Sequence, residues 1–153
     1  MALYLVQHGQ SLPKDVDPDQ GLSEKGVAET ERMADVAKNY NINVGQIRHS
    51  VKTRARKTAE IFASALLPGG DVKEVRGLKP MDDVAAFAAS LNPDSNTMLV
   101  GHLPFMERMA SYLVMGSSDK PVFKFQNSGI VCLDKDPDSA SWFIKWTLMP
   151  HIS

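Results

Sequence analysis

The sequence predicts an α/β fold, a three-layer α/β/α sandwich on a mostly parallel sheet. Three observations carry the prediction. Short apolar runs alternate along the chain with longer stretches of helical periodicity, the pattern of strands joined through helices. The run Thr97-Met98-Leu99-Val100 is nearly all apolar, as a central strand must be when helices cover both sheet faces. No repeat, linker or low-complexity segment interrupts the alternation, so one domain is expected over residues 1–153.

The elements follow in order. Residues 2–6 read as a short buried strand, and residues 10–21, polar with two prolines and three aspartates, as a loop. Ser23 is placed to cap a helix whose apolar positions include Val27, Met33, Val36 and Ala37; it ends in residues 39–43. Residues 44–49 form a second, weaker strand. Ser50 is expected to cap the next helix, which runs to about Leu66 on Ala55, Ala59, Ile61, Phe62 and Leu66. Pro68-Gly69-Gly70 is a turn, and residues 72–75 are a short edge strand. Asp82 or Asp83 caps a helix to about Leu91, followed by a loop over residues 92–96 and the central strand 97–100. Pro104 suits the first turn of a helix to about Met115. Strands over residues 129–133 and 141–148 close the chain as a hairpin at one end of the sheet. Trp142 and Trp146, four apart in the second of these, are expected on the same side as core or sheet cover.

Bulk properties exclude several classes. The formal net charge of -1 provides no global field for nucleic acid or an anionic membrane. The basic group Arg48, Lys52, Arg56 and Lys57 lacks interleaved aromatics and reads as a solvated face. No run approaches the roughly 20 apolar residues of a membrane span, and no signal peptide is evident. Cys132 is the only cysteine, which excludes an internal disulfide and fits a reducing compartment. In its apolar run it reads as a buried structural thiol. A cytoplasmic protein is expected, with a monomer as the default. Asp15, Asp17 and Asp19 have the spacing that opens a calcium loop, but Gln20 and Gly26 stand where that loop needs Gly and Glu. A solvated loop remains.

The chemistry gathers where strands end. The first strand ends at His8-Gly9, the second at His49-Ser50 with Arg54 following, and the central strand at Gly101-His102. Parallel strands place their carboxyl ends on one edge, where ligands bind. His8, Arg54 and His102 are therefore expected at one site, with glycine beside each histidine allowing close approach. A neutral imidazole is a nucleophile near pH 7 and can accept a phosphoryl group. Arg54 can grip phosphate oxygens with its planar fork, and the second histidine can donate to the same oxygens, strongly if protonated. Helices starting near Ser50 and Leu103 would point free N–H groups at the anion. Phosphoryl transfer depends mainly on positioning and charge, so this set can suffice.

Four motifs in order then give the chain a specific resemblance. They are Gln7-His8-Gly9; Leu22-Ser23-Glu24-Lys25-Gly26; Ser50-Val51-Lys52-Thr53-Arg54-Ala55-Arg56-Lys57-Thr58-Ala59; and Val100-Gly101-His102-Leu103-Pro104. Over nearly its whole length the chain resembles the histidine phosphatase superfamily, with its phosphoglycerate mutase-like fold, and within it the short SixA-type phosphohistidine phosphatases. The resemblance implies that His8 becomes phosphohistidine and that Arg54 and His102 bind the phosphate, with Gly9 beside them. It implies no metal and no cofactor. The expected partner is a phosphorylated protein or a small phosphorylated substrate.

The chain departs from the family pattern at two arginines. Gln7 stands where the family has arginine before the nucleophile, and Gln20 stands about where the SixA type carries another. Glutamine donates from a neutral amide, and a charge-assisted bond is roughly twice as strong. One such lost contact in a preorganised site corresponds to a rate cost on the order of 10²-fold. Larger relatives use a glutamate as general acid; Asp82 and Asp83 are the candidates here, each with a helix cap as its competing role. Phosphohistidine has a nitrogen leaving group that is readily protonated, so a weak acid matters less for it. Ser50 and Gln20 are expected to line the pocket. His49 is expected beside the site or simply packed, and His151 without a role. Two readings remain: a metal-independent phosphatase acting through phospho-His8, or a module that binds a phosphorylated partner with little turnover.

Overall fold

In the computed structural model, which describes residues 2–152, the first apolar run forms β1 (Ala2–Gln7). Its side chains alternate between two buried layers, as the two-residue period of a strand requires. Tyr4 and Val6 enter one layer; Leu3 and Leu5 enter the other. Ser23 then caps α1 (Glu24–Asn39), its hydroxyl accepting from the Gly26 amide at 3.0 Å, as expected of a serine in that place. The remaining elements are β2 (Gln46–His49), α2 (Thr53–Leu66), β3 (Val72–Glu74), α3 (Val84–Ala89), β4 (Thr97–Gly101), α4 (Phe105–Met115), β5 (Ile130–Lys135) and β6 (Trp142–Leu148).

The sheet order is β3-β2-β4-β1-β5-β6. The first four strands run parallel, and the β5–β6 hairpin adds antiparallel to β1. Met33, Ala34 and Ala37 of α1 and Ala55, Ala59 and Phe62 of α2 cover one face. Val84 of α3 and Phe105, Met106 and Met109 of α4 cover the other. This is the expected α/β/α sandwich, with the hairpin at one end of the sheet. All five β4 residues are buried, in keeping with the apolar run that marked it as central. Cys132 is buried as expected, and burial pushes its thiol up to about 11. Among the described residues, no helix is long and apolar enough to cross a membrane.

Register does the positioning. Gln7 lies opposite Gly101, and His49 opposite Val100. The carboxyl ends of β1, β4 and β2 are therefore level, and His8, His102 and Ser50 leave the sheet side by side.

Three expectations need correction. Ser50 does not cap α2: the helix begins at Thr53 behind Lys52, which makes no side-chain cap bond. The Ser50 hydroxyl is instead buried against His102. Pro104 sits one position earlier than expected, as the residue before the first turn of α4. Trp142 and Trp146 lie on opposite faces. Cys132 pairs with Trp146, but Leu133 pairs with Ile144, leaving Lys145 as an extra residue on β6. A bulge of one residue inverts the alternation beyond it, so Trp146 packs with Tyr4 and Trp142 with the α3–α4 layer.

Gly26 shows how tightly the first loop is fitted. A Cβ there would collide with the backbone carbonyl of Gln10, which also accepts from the Ser23 amide at 2.9 Å. Gly26→Ala is expected to destabilise the protein by roughly 2 kcal/mol or more, because backbone cannot yield as a side-chain tip can. Thermal or urea unfolding measures it; an unchanged midpoint would show that the loop adapts.

Candidate active site

His8 follows the last residue of β1, where its amide donates to Gly101 O at 2.9 Å and its carbonyl accepts from Asn127 Nδ2 at 2.8 Å. The backbone is thus held on both sides. Its ring is held too. Nδ1 lies 2.7 Å from the carbonyl of Gly9. A carbonyl only accepts, so Nδ1 carries the proton and Nε2 presents a lone pair. Arg54 Nε points at that Nε2 from 3.4 Å.

Arg54 reaches this point from the first turn of α2. Thr58, one turn on, ties helix and strand together: its buried hydroxyl accepts from the Gly9 amide at 2.9 Å and donates to the Arg54 carbonyl at 2.8 Å. Gly9 itself has no room for a side chain. A Cβ would lie 2.7 Å from Thr30 Oγ1 and 3.1 Å from Ser128 Oγ, two buried hydroxyls bonded to each other at 2.7 Å.

His102 leaves the end of β4 almost fully buried, its ring centroid 5.1 Å from that of His8. Its Nε2 is 2.8 Å from Ser50 Oγ, whereas its Nδ1 is buried with no partner. The structure therefore brings together His8, Arg54, His102, Gly9 and Ser50.

The other expected residues divide. Gln7 is adjacent, but its amide oxygen is buried without a hydrogen bond and it contributes none to the cluster. Gln20 sits in a turn with φ 49°, its amide donating to Asp17 O at 2.9 Å, and its side chain makes no hydrogen bond to the cluster. The two acid candidates are committed elsewhere. Asp83 caps α3, accepting from the amides of Ala85 and Ala86 at 3.0 and 3.2 Å. Asp82 accepts from the Lys79 amide at 2.9 Å. Neither bonds to a histidine of the pair; both line a cleft of about 1020 Å³ that Ser50 also borders. A helix start needs acceptors for its free N–H groups, and Asp83 supplies one for α3, while Asp82 closes the turn before it.

His49 is buried beside the cluster, its Nδ1 donating to Ser50 O at 2.9 Å. His151 has a partner after all, Glu29 at 2.8 Å. Asp17 turns its carboxylate onto the amides of Asp19 and Gly21, which hold it below the usual carboxylate range. Sequence reading gave no role to Thr58 or Asn127. Thr58 lay within the second motif and carried that signal; Asn127, 119 residues from its partner, carried none.

The electrostatics keep both imidazoles neutral. Burial lowers the His8 pKa below 6.5, only partly offset by the bond to Gly9, and the Arg54 charge lowers it further. Burial first, then His8, Arg54 and Lys52, push His102 down to about 3. Without a bound anion His102 is thus a neutral donor, not the imidazolium the sequence allowed. Arg54, though lowered by burial, stays charged. The arrangement offers a neutral nitrogen nucleophile, a fixed cation and an uncommitted ring nitrogen, which is chemistry for a tetrahedral anion.

Two pH effects follow. A folded pKa below the unfolded value means that the unfolded chain binds more protons in the window between them. Stability is expected to be full above pH 6.5 and to fall as pH drops from 6.5 towards 3, by on the order of a few kcal/mol from His102. The acid limb of kcat/KM for an aryl phosphate is expected below pH 6.5, because burial and the Arg54 charge lower the pKa at which the nucleophile His8 is lost to protonation. An acid limb above 6.5 would contradict the geometry.

The chain is similar to several known proteins. Residues 3–85 match the model of the histidine phosphatase superfamily, branch 1. An uncharacterized protein of Picosynechococcus sp. is 31% identical over 141 residues, spanning 87% of this chain and 84% of its own. The structure of the protein histidine phosphatase SixA complexed with tungstate superposes with a TM-score of 0.84 over 98% of this chain and 97% of that one, at 23% identity. A chain assigned as the SixA phosphohistidine phosphatase of Agrobacterium tumefaciens superposes with a TM-score of 0.76 over 97% of both chains, at 25% identity.

Proposed function

The chain belongs to the histidine phosphatase superfamily, and from that premise we propose that it is a phosphatase that works through a phosphohistidine intermediate on His8, with phosphohistidine in a protein as its substrate. One observation carries the reading: His8 Nδ1 is turned onto the Gly9 carbonyl at 2.7 Å, which leaves Nε2 as the lone-pair nitrogen, and Arg54 is aimed at it from 3.4 Å. Nε2 attacks phosphorus. The new P–N bond forms as the bond to the substrate's imidazole nitrogen breaks, and that imidazole takes its proton from solvent. Water then attacks the phosphoryl group on His8; the P–N bond breaks, inorganic phosphate leaves and the imidazole is regenerated. Arg54 and His102 hold the phosphoryl oxygens through both steps, where charge stabilisation supplies most of the catalysis.

The two aspartates favour the nitrogen-linked substrate. Both are engaged with backbone amides, so neither stands ready to protonate a departing alkoxide. An imidazole leaving group is readily protonated and needs none. The likeness to SixA-type structures lends weight to the same substrate class. Hydrolysis of a phosphohistidine protein and of an aryl phosphate, compared without added metal, tests this. The phosphohistidine protein is expected to be turned over at the higher kcat/KM. A preference for the aryl phosphate would overturn the substrate reading and keep the phosphatase.

A second reading is favoured by Gln7, whose amide is neutral and makes no hydrogen bond to the cluster. On that reading the pocket binds a phosphorylated partner and turns it over little.

A further inference from the structure

His102 and Ser50 are 52 residues apart in sequence, yet they form a closed unit. Both are almost fully buried, and His102 Nε2 lies 2.8 Å from Ser50 Oγ. The Lys52 amide also approaches Ser50 Oγ, at 3.4 Å. An amide N–H only donates, so it occupies a lone pair of the oxygen and leaves the hydroxyl proton uncommitted. His102 Nδ1 is buried with nothing to bond.

The two neutral tautomers of His102 differ in what they leave unpaired. With the proton on Nε2, the ring donates to Ser50. The serine proton then has no partner, and Nδ1 is a bare lone pair: two unmatched groups in a buried place. With the proton on Nδ1, Ser50 donates to Nε2, and only the Nδ1 N–H is unmatched. Each unmatched buried group is costly, so the second tautomer, with one rather than two, wins. It also has the useful polarity. An N–H matches an anionic oxygen, whereas a lone pair repels it.

We propose that Ser50 is a positioning residue: its hydroxyl donates to His102 Nε2, holds the proton on Nδ1 and so presents an N–H to an oxygen of the bound phosphoryl group. This rests on the phosphatase reading above for its consequence in turnover, but not for its geometry. The buried hydroxyl thereby makes a neutral histidine a donor of fixed direction.

The test uses the whole chain with vanadate as the probe. Imidazole nitrogen NMR of the unaltered protein is expected to show His102 protonated at Nδ1 only. Ser50→Ala is expected to spread the proton over both nitrogens and to weaken vanadate binding about tenfold, and Ser50→Thr, which keeps the hydroxyl, to restore both. Loss of kcat/KM should follow the same order. A proton found on Nε2 of the unaltered protein would overturn the proposal, even if Ser50→Ala failed to fold. So would a Ser50→Ala protein with unchanged tautomer and vanadate affinity. If the unaltered protein turned over neither substrate, the phosphatase reading would fall, and tautomer and vanadate affinity would still decide the role of Ser50.

Discussion

His8→Ala is expected to lower turnover by roughly 10⁴-fold or more, the largest effect of any single change in this protein. Covalent catalysis through Nε2 ends with the ring, and what remains is the charge stabilisation of Arg54 and His102 acting on a slow direct attack by water. The fold should survive. His8 is half-buried, its ring bonds only to the adjacent Gly9 carbonyl and to Arg54 at the long distance of 3.4 Å, and its backbone bonds to Gly101 and Asn127 do not involve the ring. A stability change within about 1 kcal/mol is expected from one modest hydrogen bond. Acid-labile phosphate trapped on the unaltered enzyme during turnover, and absent from His8→Ala, is the direct measurement. Full activity in His8→Ala would end the covalent mechanism. Activity lost together with the folded state would leave trapped phosphate on the unaltered enzyme to decide.

Gln7→Arg is expected to raise kcat for phosphohistidine hydrolysis on the order of 10²-fold, the size of one preorganised donor in a site that stabilises charge. Residue 7 is paired with Gly101 in the parallel ladder, so its backbone is fixed beside the ends of both histidine-bearing strands. Its amide oxygen is buried and unpaired. A guanidinium there would add a charged fork where a neutral amide now contributes no bond. It would also lower the pKa of both histidines further, as Arg54 already does, moving the acid limb of the rate profile down. Steady-state kinetics on both proteins, with vanadate affinity alongside, separates the two readings of the pocket. A large gain identifies an enzyme weakened at one contact. Unchanged kcat with unchanged vanadate affinity would favour the binding role.

Much of this was legible before the fold was known, for local reasons. Short continuous apolar runs located β1 and β4, and a histidine follows each run. The Ser23 cap follows from short-range chemistry, a hydroxyl three residues from the amide it accepts from. The ambiguity between Asp82 and Asp83 was of the same local kind, and the structure resolved it: Asp83 caps the helix and Asp82 closes the turn before it.

The tertiary structure decided what local pattern cannot carry. Ser50 reads from sequence as a helix cap, because serine before a helical run usually is one. It became a partner of His102 only because β2 and β4 end level in the sheet. The two tryptophans read as one face, and one unpaired residue at Lys145 put them on two. Asn127 and Thr58 hold the nucleophile's turn from 119 and 49 residues away. By itself, then, the sequence determined the α/β alternation, the strand ends that carry His8 and His102, and Arg54 on the helix between them. Periodicity and motif spacing are properties of neighbouring residues. Tautomer, pKa and side-chain pairing were decided by the fold alone, because they depend on register and burial, which exist only once distant strands have met.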